Sequence, residues 1–314
     1  MGAALMLTAG QERSLAIKIN ASGYLRALTF SANGEHLLSG GENQNVQVWR
    51  VQDGLRAATI EAKNVLCLAV SKNGKWIAGG KLLGEVFLWD AETYETVSKH
   101  KEEDSDGIRR SEIFAVDFSP DSTKLVSGSW NHHTATMWDV ASGKKIRTLQ
   151  HKRGVRAAKF SSDGDRLATA TGGSVQVWNS KDGHLLVDIP VTVTPQSNDG
   201  LRWFNKHIFV VSDNAIKQLD SSTGSTVSEW PVPNSDFRSC IAISRHGKFI
   251  AFSTGRSVTF WDMSTHLQIG LVEHTEVIRS IALSPDDRSL AIGGKNGTIT
   301  IKSLSLPTAS IVSR

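Results

Sequence analysis

The sequence is poor in cysteine and proline, and both shortages narrow the class of protein. It contains 2 cysteines and 7 prolines among 314 residues. Two cysteines cannot build the framework of several disulfides that supports a small secreted domain. Because Cys67 and Cys240 both fall among apolar residues of predicted strands, we expect buried free thiols and a reducing compartment. The few prolines, with 27 glycines and 9 tryptophans, favour short strands joined by tight turns over helices or disorder.

The sequence also lacks a strong charge of either sign and an apolar run long enough to cross a membrane. Lys and Arg number 35 against 31 Asp and Glu, which gives a net charge of +4. This mild excess permits an acidic partner without requiring nucleic acid. The apolar run at residues 1–9 is too short to span a bilayer, and no basic region precedes it. We expect a soluble protein without membrane association, in the cytoplasm or alternatively in the nucleus.

A repeated hairpin is the main positive feature of the sequence. Residues 125–139 contain a strand of small residues, a polar turn and a second strand that ends in Trp138-Asp139. The pattern returns along the chain, with corresponding strand ends at Trp49, Trp89, Trp138, Trp178, Leu219, Trp261 and Lys302. Seven units of about 40 residues indicate a repeat architecture, in which each unit buries its apolar face against its neighbours.

Each unit contains four predicted strands. In the fourth unit they cover residues 155–160, 166–171, 174–178 and 184–190. The same turn position is occupied in three units by Asn33-Gly34, Asn73-Gly74 and Asp163-Gly164. Asn-Gly and Asp-Gly pairs supply the positive φ angles that tight antiparallel connections need. The predicted fold class is therefore all-β, built from four-stranded antiparallel units.

The repeat resembles the WD-repeat family along essentially the whole chain. The resemblance is carried by turns at residues 118–121 and 284–286 and by the pairs Trp89-Asp90, Trp138-Asp139 and Trp261-Asp262. It implies a single seven-bladed β-propeller. The family's Gly-His pair is reduced here to His100, His151 and His274. Because the family's buried set of His, Ser, Trp and Asp is incomplete, several blades are expected to be less rigid than is usual for this family.

The resemblance also implies how the ring closes. In this family an N-terminal strand pairs into the last blade, which removes a bare strand edge, and residues 14–19 resemble such a strand. We therefore predict an N-terminal tail over residues 1–12, a propeller over residues 13–305 and a C-terminal tail over residues 306–314. Two segments interrupt the period, residues 101–110 and 191–200, and both are predicted to be loops.

Alignment of the first strands on the serine that follows them reveals a recurring arginine. Five residues before the serines stand Arg26, Leu66, Phe114, Arg156, Ser239 and Arg279. Arg238 falls one residue earlier, and Arg202 lies near this register in the fifth unit. The resemblance implies that this position lies at the rim of the central channel. The same face carries the loops between the second and third strands, which contribute Lys81, Trp130, Arg256 and Lys295.

These residues predict a partner-binding site at the channel rim. Convergent guanidinium groups suit carboxylates and phosphates, and Trp and Arg are enriched among the residues that dominate binding at interfaces. In this hypothesis the arginines pair with anions, the loop cations attract them and Trp130 anchors an apolar group. The alternative is that the arginines form salt bridges within the ring or lie along neighbouring blades. Glu42 and the acidic run at residues 102–106 could also neutralise part of the charge.

Motifs for catalysis and metal binding are weak in this sequence. Adjacent residues of a strand point to opposite faces, so His132 and His133 cannot easily share an ion. Residues 104–107 resemble half of a calcium loop but lack its distal glutamate. There is no Gly-Lys-Ser/Thr phosphate loop and no Gly-x-Ser-x-Gly turn, and the aligned channel positions hold no acid–base pair. We expect no metal, no cofactor and no catalytic residue.

The sequence therefore predicts a non-catalytic protein–protein interaction scaffold. It binds an acidic or phosphorylated segment at the channel rim, as a monomeric propeller within a larger complex. One alternative is a propeller enzyme that acts on a small anionic substrate at the same channel mouth. Another is the sensor part of a larger assembly. Nucleic acid is a less favoured partner, because the net charge is small and no series of aromatic residues offers a stacking track.

Overall fold

A computed structural model of the chain describes residues 16–21, 23–101, 111–193, 200–212, 214–232 and 239–305. Within these ranges 28 β-strands form seven four-stranded antiparallel sheets, which confirms the predicted seven-bladed all-β propeller. None of the described residues forms a helix that could cross a membrane. The predicted tails at residues 1–12 and 306–314 lie outside the described residues, as do 102–110 and 194–199 within the two predicted loops.

The strands follow one another blade by blade along the chain, except for the first one. β1 (Ile17–Asn20) belongs to the seventh blade. The first blade contains β2 (Tyr24–Phe30), β3 (His36–Glu42), β4 (Val46–Arg50) and β5 (Arg56–Ile60). The second contains β6 (Val65–Val70), β7 (Trp76–Lys81), β8 (Glu85–Asp90) and β9 (Thr96–Lys101). The third contains β10 (Ile113–Phe118), β11 (Lys124–Ser129), β12 (Thr134–Asp139) and β13 (Lys145–Gln150).

The remaining four blades repeat this order. The fourth contains β14 (Ala157–Phe160), β15 (Arg166–Ala170), β16 (Ser174–Asn179) and β17 (Leu185–Pro190). The fifth contains β18 (Leu201–Phe204), β19 (His207–Ser212), β20 (Ala215–Asp220) and β21 (Thr226–Pro231). The sixth contains β22 (Ile241–Ile243), β23 (Phe249–Thr254), β24 (Ser257–Asp262) and β25 (Gln268–Glu273). The seventh contains β26 (Ile278–Leu283), β27 (Ser289–Gly294) and β28 (Thr298–Ser303), and β1 completes it.

The N-terminal strand closes the ring, as predicted. β1 pairs antiparallel with β28, and Ile17 and Ile19 lie opposite Ile301 and Ile299. Ile19 is buried in an apolar cluster that joins the seventh and first blades and includes Ile299 and Trp49. Closure by the N-terminus therefore rests on both backbone hydrogen bonds and burial of apolar surface.

The core is divided among the interfaces between successive blades. One cluster combines Leu38 and Val48 of the first blade with Ile77 and Trp89 of the second, and Trp138 and Trp178 occupy the same place at later interfaces. Each strand-ending tryptophan thus packs between two blades, which explains why its spacing gives the repeat. Cys67 and Cys240 are buried and neither forms a disulfide, which confirms the prediction of buried thiols.

Among the described residues the buried polar set extends furthest in the fourth blade and is reduced in others. In the fourth blade Trp178 Nε1 donates to Thr169 Oγ1 at 2.8 Å, and His151 Nε2 lies 2.8 Å from the same hydroxyl. In the first blade Trp49 Nε1 donates to Ser39 Oγ at 2.9 Å, and no described histidine joins this pair. In the fifth and sixth blades Trp230 Nε1 and Trp261 Nε1 are buried and have no hydrogen-bond partner among the described residues.

Strand direction gives the propeller two different faces. The first strands of successive blades contact one another around the channel, and in an antiparallel meander they begin on the face that carries the hairpins between second and third strands. Towards that face a cavity lined by described residues of the first four blades measures about 20 Å³. On the opposite side, which carries the turns between first and second strands, the cavity measures about 620 Å³. We call these the narrow face and the wide face.

Candidate functional site

Two predicted arginines meet at a tyrosine on the narrow face. Arg26 Cζ lies 4.8 Å from the centre of the Tyr24 ring, and Arg279 Cζ, from the seventh blade, lies 5.1 Å from it. Arg26 Nε donates to Glu42 Oε1 at 2.8 Å, and the two side chains form an ion pair. Glu42 therefore neutralises one of the three aligned arginines, as the sequence allowed, while Tyr24 joins the first and seventh blades through cation–π contacts.

The third arginine, Arg156, lies against two aromatic rings. Its Cζ is 3.7 Å from the centre of the Trp130 ring and 5.1 Å from that of Phe114. The two rings meet edge to face, with their centres 6.3 Å apart. Gly154 makes room for this arrangement, since a Cβ there would lie 2.2 Å from Trp130 Cε3 and 2.5 Å from the Trp130 carbonyl oxygen.

Arg156 stays positively charged in its surroundings, and one of its nitrogen atoms makes no hydrogen bond to a described residue. Burial lowers the pKa of Arg156 to about 10, Glu112 opposes this shift and Arg26 adds to it. A pKa of about 10 keeps the guanidinium charged near neutral pH. Arg156 Nε is buried without a hydrogen-bond partner among the described residues, and Glu112 Oε2 already accepts from Asn131 Nδ2 at 3.0 Å. The charged guanidinium as a whole suits a carboxylate or phosphate.

The structure therefore brings together one set of residues, which we call the narrow-mouth cluster. Its members come from the first, third, fourth and seventh blades: Tyr24, Arg26, Phe114, Trp130, Arg156 and Arg279. Because Arg26 contributes to the pKa shift of Arg156, the two halves of the cluster interact electrostatically across the narrow channel.

The other predicted site residues lie apart from this cluster. Lys81 Nζ is 2.8 Å from Glu85 Oε2 and 4.9 Å from the Phe87 ring centre, so its charge is used within the second blade. Arg256 and Lys295 are exposed on hairpins of the narrow face, in the sixth and seventh blades. Arg238 lies outside the described residues.

Arg202 does not share the register of the aligned arginines, so the expectation that it lies near them is wrong. Arg202 lies opposite Phe209, which is the register that Asp117 and Lys159 occupy in the third and fourth blades. This register lies three residues after that of Arg156, towards the wide face. The fifth blade turns at Asn205-Lys206 and lacks the serine used for the alignment. Tyr24 was not predicted, although it lies two residues before Arg26 in the same strand, a spacing typical of residues on one side of a strand.

The fold and the Trp-Asp repeats define the class of protein as a WD-repeat β-propeller. A WD-repeat model matches residues 265–301, which include most of the seventh blade. More specifically, the chain belongs to the family described as nucleolar protein 10-like, N-terminal domain, whose model matches residues 8–211. Propellers of the WD-repeat class serve in general as protein-interaction scaffolds.

Three relatives are longer than the part that this chain matches. The chain is 24% identical over 295 residues to Autophagy-related protein 16 of Arabidopsis thaliana, and the alignment covers 87% of this chain and 54% of that protein. It is 23% identical over 278 residues to the U3 small nucleolar RNA-associated protein 15 homolog of Xenopus laevis, covering 87% and 45%. It is 27% identical over 172 residues to Periodic tryptophan protein 2 of Arabidopsis thaliana, covering 52% and 18%. The chain thus spans about half or less of these relatives.

Proposed function

We propose that the chain is a non-catalytic docking scaffold that binds an acidic or phosphorylated segment of a protein partner over the narrow-mouth cluster. The observation that carries the proposal is Arg156, a charged and half-buried guanidinium held by Trp130 and Phe114 with its Nε unpaired among the described residues. A carboxylate or phosphate on the partner pairs with the charge of this guanidinium through charge-assisted hydrogen bonds.

The contacts of each predicted residue indicate its role in binding. Arg156 and Arg279 pair with the anions, and the Trp130 ring supplies the apolar anchor. Arg26 contributes less net charge, since Glu42 neutralises it. The exposed Arg256 and Lys295 attract the segment from solution, whereas Lys81 is held by Glu85. Arg238 is proposed as a further member of the site from its place in the sequence.

The size of the channel favours a segment that lies over the narrow mouth. The cavity below the cluster, about 20 Å³, has room for about one water molecule. Pockets that hold small ligands usually measure about 300 Å³ or more. Among the described residues this cavity is smaller than the pocket that a propeller enzyme would need for its substrate, which supports a docked protein segment.

We also propose a nuclear, specifically nucleolar, location in place of the cytoplasm. The support is the family description, nucleolar protein 10-like, and the name of the small nucleolar RNA-associated relative. In this proposal the propeller is one part of a larger assembly that contains RNA, and its own contact is with protein. Fluorescence imaging of the tagged chain tests the location, and exclusion from the nucleolus would contradict it.

Affinity capture from the native cell tests the binding proposal. The full chain and the variant R156A/R279A are compared by mass spectrometry, with R56A/R147A as a matched control on exposed outer strands. Because each well-used arginine contributes about 2 kcal/mol to binding, the variant should lose one set of proteins and the control should keep it. Identical sets from wild type and R156A/R279A would contradict the proposal, provided that both have the same thermal stability.

A further inference from the structure

The wide half of the channel is a cavity because small residues line one side of it. At one register of the first strands, the third to fifth blades carry Asp117, Lys159 and Arg202. At the same register the other four blades carry Thr29, Ala69, Ala242 and Ala282. The cavity of about 620 Å³ lies between the charged side and the small-residue side.

The lining of this cavity has more positive than negative charge. It includes Lys72, Lys159, Arg202 and Arg245 against Asp117 and Asp287. Both acids already have partners in the frame of the propeller. Asp117 binds Lys159 Nζ and the Phe160 backbone N–H, each at 2.9 Å. Asp287 accepts from the Arg245 backbone N–H at 2.9 Å. The Arg245 side chain itself is exposed at the wide mouth.

Two grooves continue the cavity across the wide face. The groove between the first and second blades, about 560 Å³, shares Ala32, Val70 and Lys72 with it. The groove between the seventh and first blades, about 320 Å³, shares Ala32, Arg245 and Pro285 with it. Shared walls make one continuous concave surface, and its elongated shape suits an extended chain better than a compact ligand.

We propose that the wide face is a second docking site, which takes an extended acidic peptide segment. One carboxylate or phosphate of the segment enters the cavity on the side of Lys159 and Arg202, while Lys72 and Arg245 meet acidic residues at the mouth. The backbone follows the groove lined by His36 and Tyr94. Within the cavity the excess of two cations over acids fits a few acidic residues, and Glu92 and Asp286 in the two grooves confine those residues to the part of the segment that lies over the cavity. Nucleic acid instead requires neutralisation of many phosphates. The propeller then binds protein segments on both faces.

Fluorescence anisotropy with a labelled oligo-glutamate peptide tests this site, and a phosphoserine peptide of the same length is the second probe. The measurements use the R156A/R279A protein, so that loss of the narrow site cannot be mistaken for loss of the wide one. Adding K72E/R245E should weaken binding at least about tenfold, because charge-assisted contacts of this kind contribute about a factor of ten each. The matched reversal R56E/R147E on the outer strands should change the affinity by less than about twofold.

A steric variant tests the cavity without changing charge. Ala282 is a half-buried member of the small-residue side, and A282L should weaken the peptide about tenfold while leaving the urea midpoint close to that of the parent. The proposal is overturned if the parent binds neither peptide at about millimolar concentration, or if R56E/R147E weakens binding as much as K72E/R245E. It is equally overturned if a single-stranded RNA binds more tightly than both peptides and is lost in K72E/R245E.

Discussion

Acidification should destabilise the propeller through one histidine, His151. Its Nδ1 lies 3.1 Å from the Leu149 carbonyl oxygen, which can only accept, so the hydrogen of the neutral ring resides on Nδ1. Its Nε2 then accepts from the Thr169 hydroxyl at 2.8 Å, and that hydroxyl oxygen accepts from Trp178 Nε1. A second proton on the ring would face this donor, and the hydroxyl would have to turn towards the more distant Gln176 carbonyl, 3.4 Å away.

The size of the effect follows from the pKa of His151. Burial lowers it from the ordinary 6.5 to about 4. The folded state thus holds His151 neutral in a range where the unfolded chain binds a proton. Its stabilising contribution is complete above about pH 6.5 and is lost as the pH falls towards about 4. At about 1.4 kcal/mol per pKa unit, the full loss is about 3 kcal/mol, of which about 2 kcal/mol is lost between about pH 7 and about pH 5.

Urea denaturation of wild type and His151→Gln at these two pH values measures this contribution. Glutamine can still bond to Thr169 but does not titrate in this range. Wild type should therefore lose about 2 kcal/mol more than the variant on acidification. Burial also lowers the pKa of His100, but that effect is present in both proteins and cancels in the comparison. Equal losses in the two proteins would refute the assignment of the pH dependence to His151.

Two further substitutions test the site and the closure of the ring. Gly154→Ala places a methyl group 2.2 Å from Trp130 Cε3. We expect it to destabilise the protein by about 1–3 kcal/mol in a urea titration and to weaken partner capture. The control is Gly172→Ala, where a Cβ meets nothing within 4 Å. Unchanged stability and capture would contradict the packing of Trp130 over Gly154. Ile19→Ala on β1 should cost about 2–5 kcal/mol by the same titration, because Ile19 is 5% exposed between the seventh and first blades. A loss below about 0.5 kcal/mol would show that β1 does not hold the ring closed.

The fold could be predicted from the sequence because each repeat is encoded locally. Trp89 and Trp138 recur at the interfaces between blades, and turns such as Asn33-Gly34 require residues that accept positive φ. Strand ends differ from the prediction by one or two residues. The first strand of the fourth blade begins at Ala157, two residues after the predicted start, and β1 extends to Asn20, one residue beyond the predicted end. Such differences arise because the ends of a strand lie in turns that do not follow the alternating pattern.

The candidate site could be predicted only where a repeat register exists. Aligning first strands on their serines identified Arg26, Arg156 and Arg279, but the fifth blade has no such serine and Arg202 was therefore misplaced. Pairing of Lys81 with Glu85 across a hairpin depends on side-chain reach, which spacing does not give. The wide cavity results from small side chains in separate blades, such as Ala69 and Ala282, which become neighbours only when the ring closes.

Photo-crosslinking from the narrow mouth tests the central proposal most directly. Trp130 is replaced by the photoreactive aromatic residue benzoylphenylalanine, and Ile146, which is 41% exposed on an outer strand, is replaced in a matched control. Irradiation in the native cell should give an adduct from position 130, with the crosslinked peptide rich in acidic or phosphorylated residues, and none of this partner from position 146. An adduct with the same partner only from position 146, or a crosslinked peptide without anionic residues, would contradict the account.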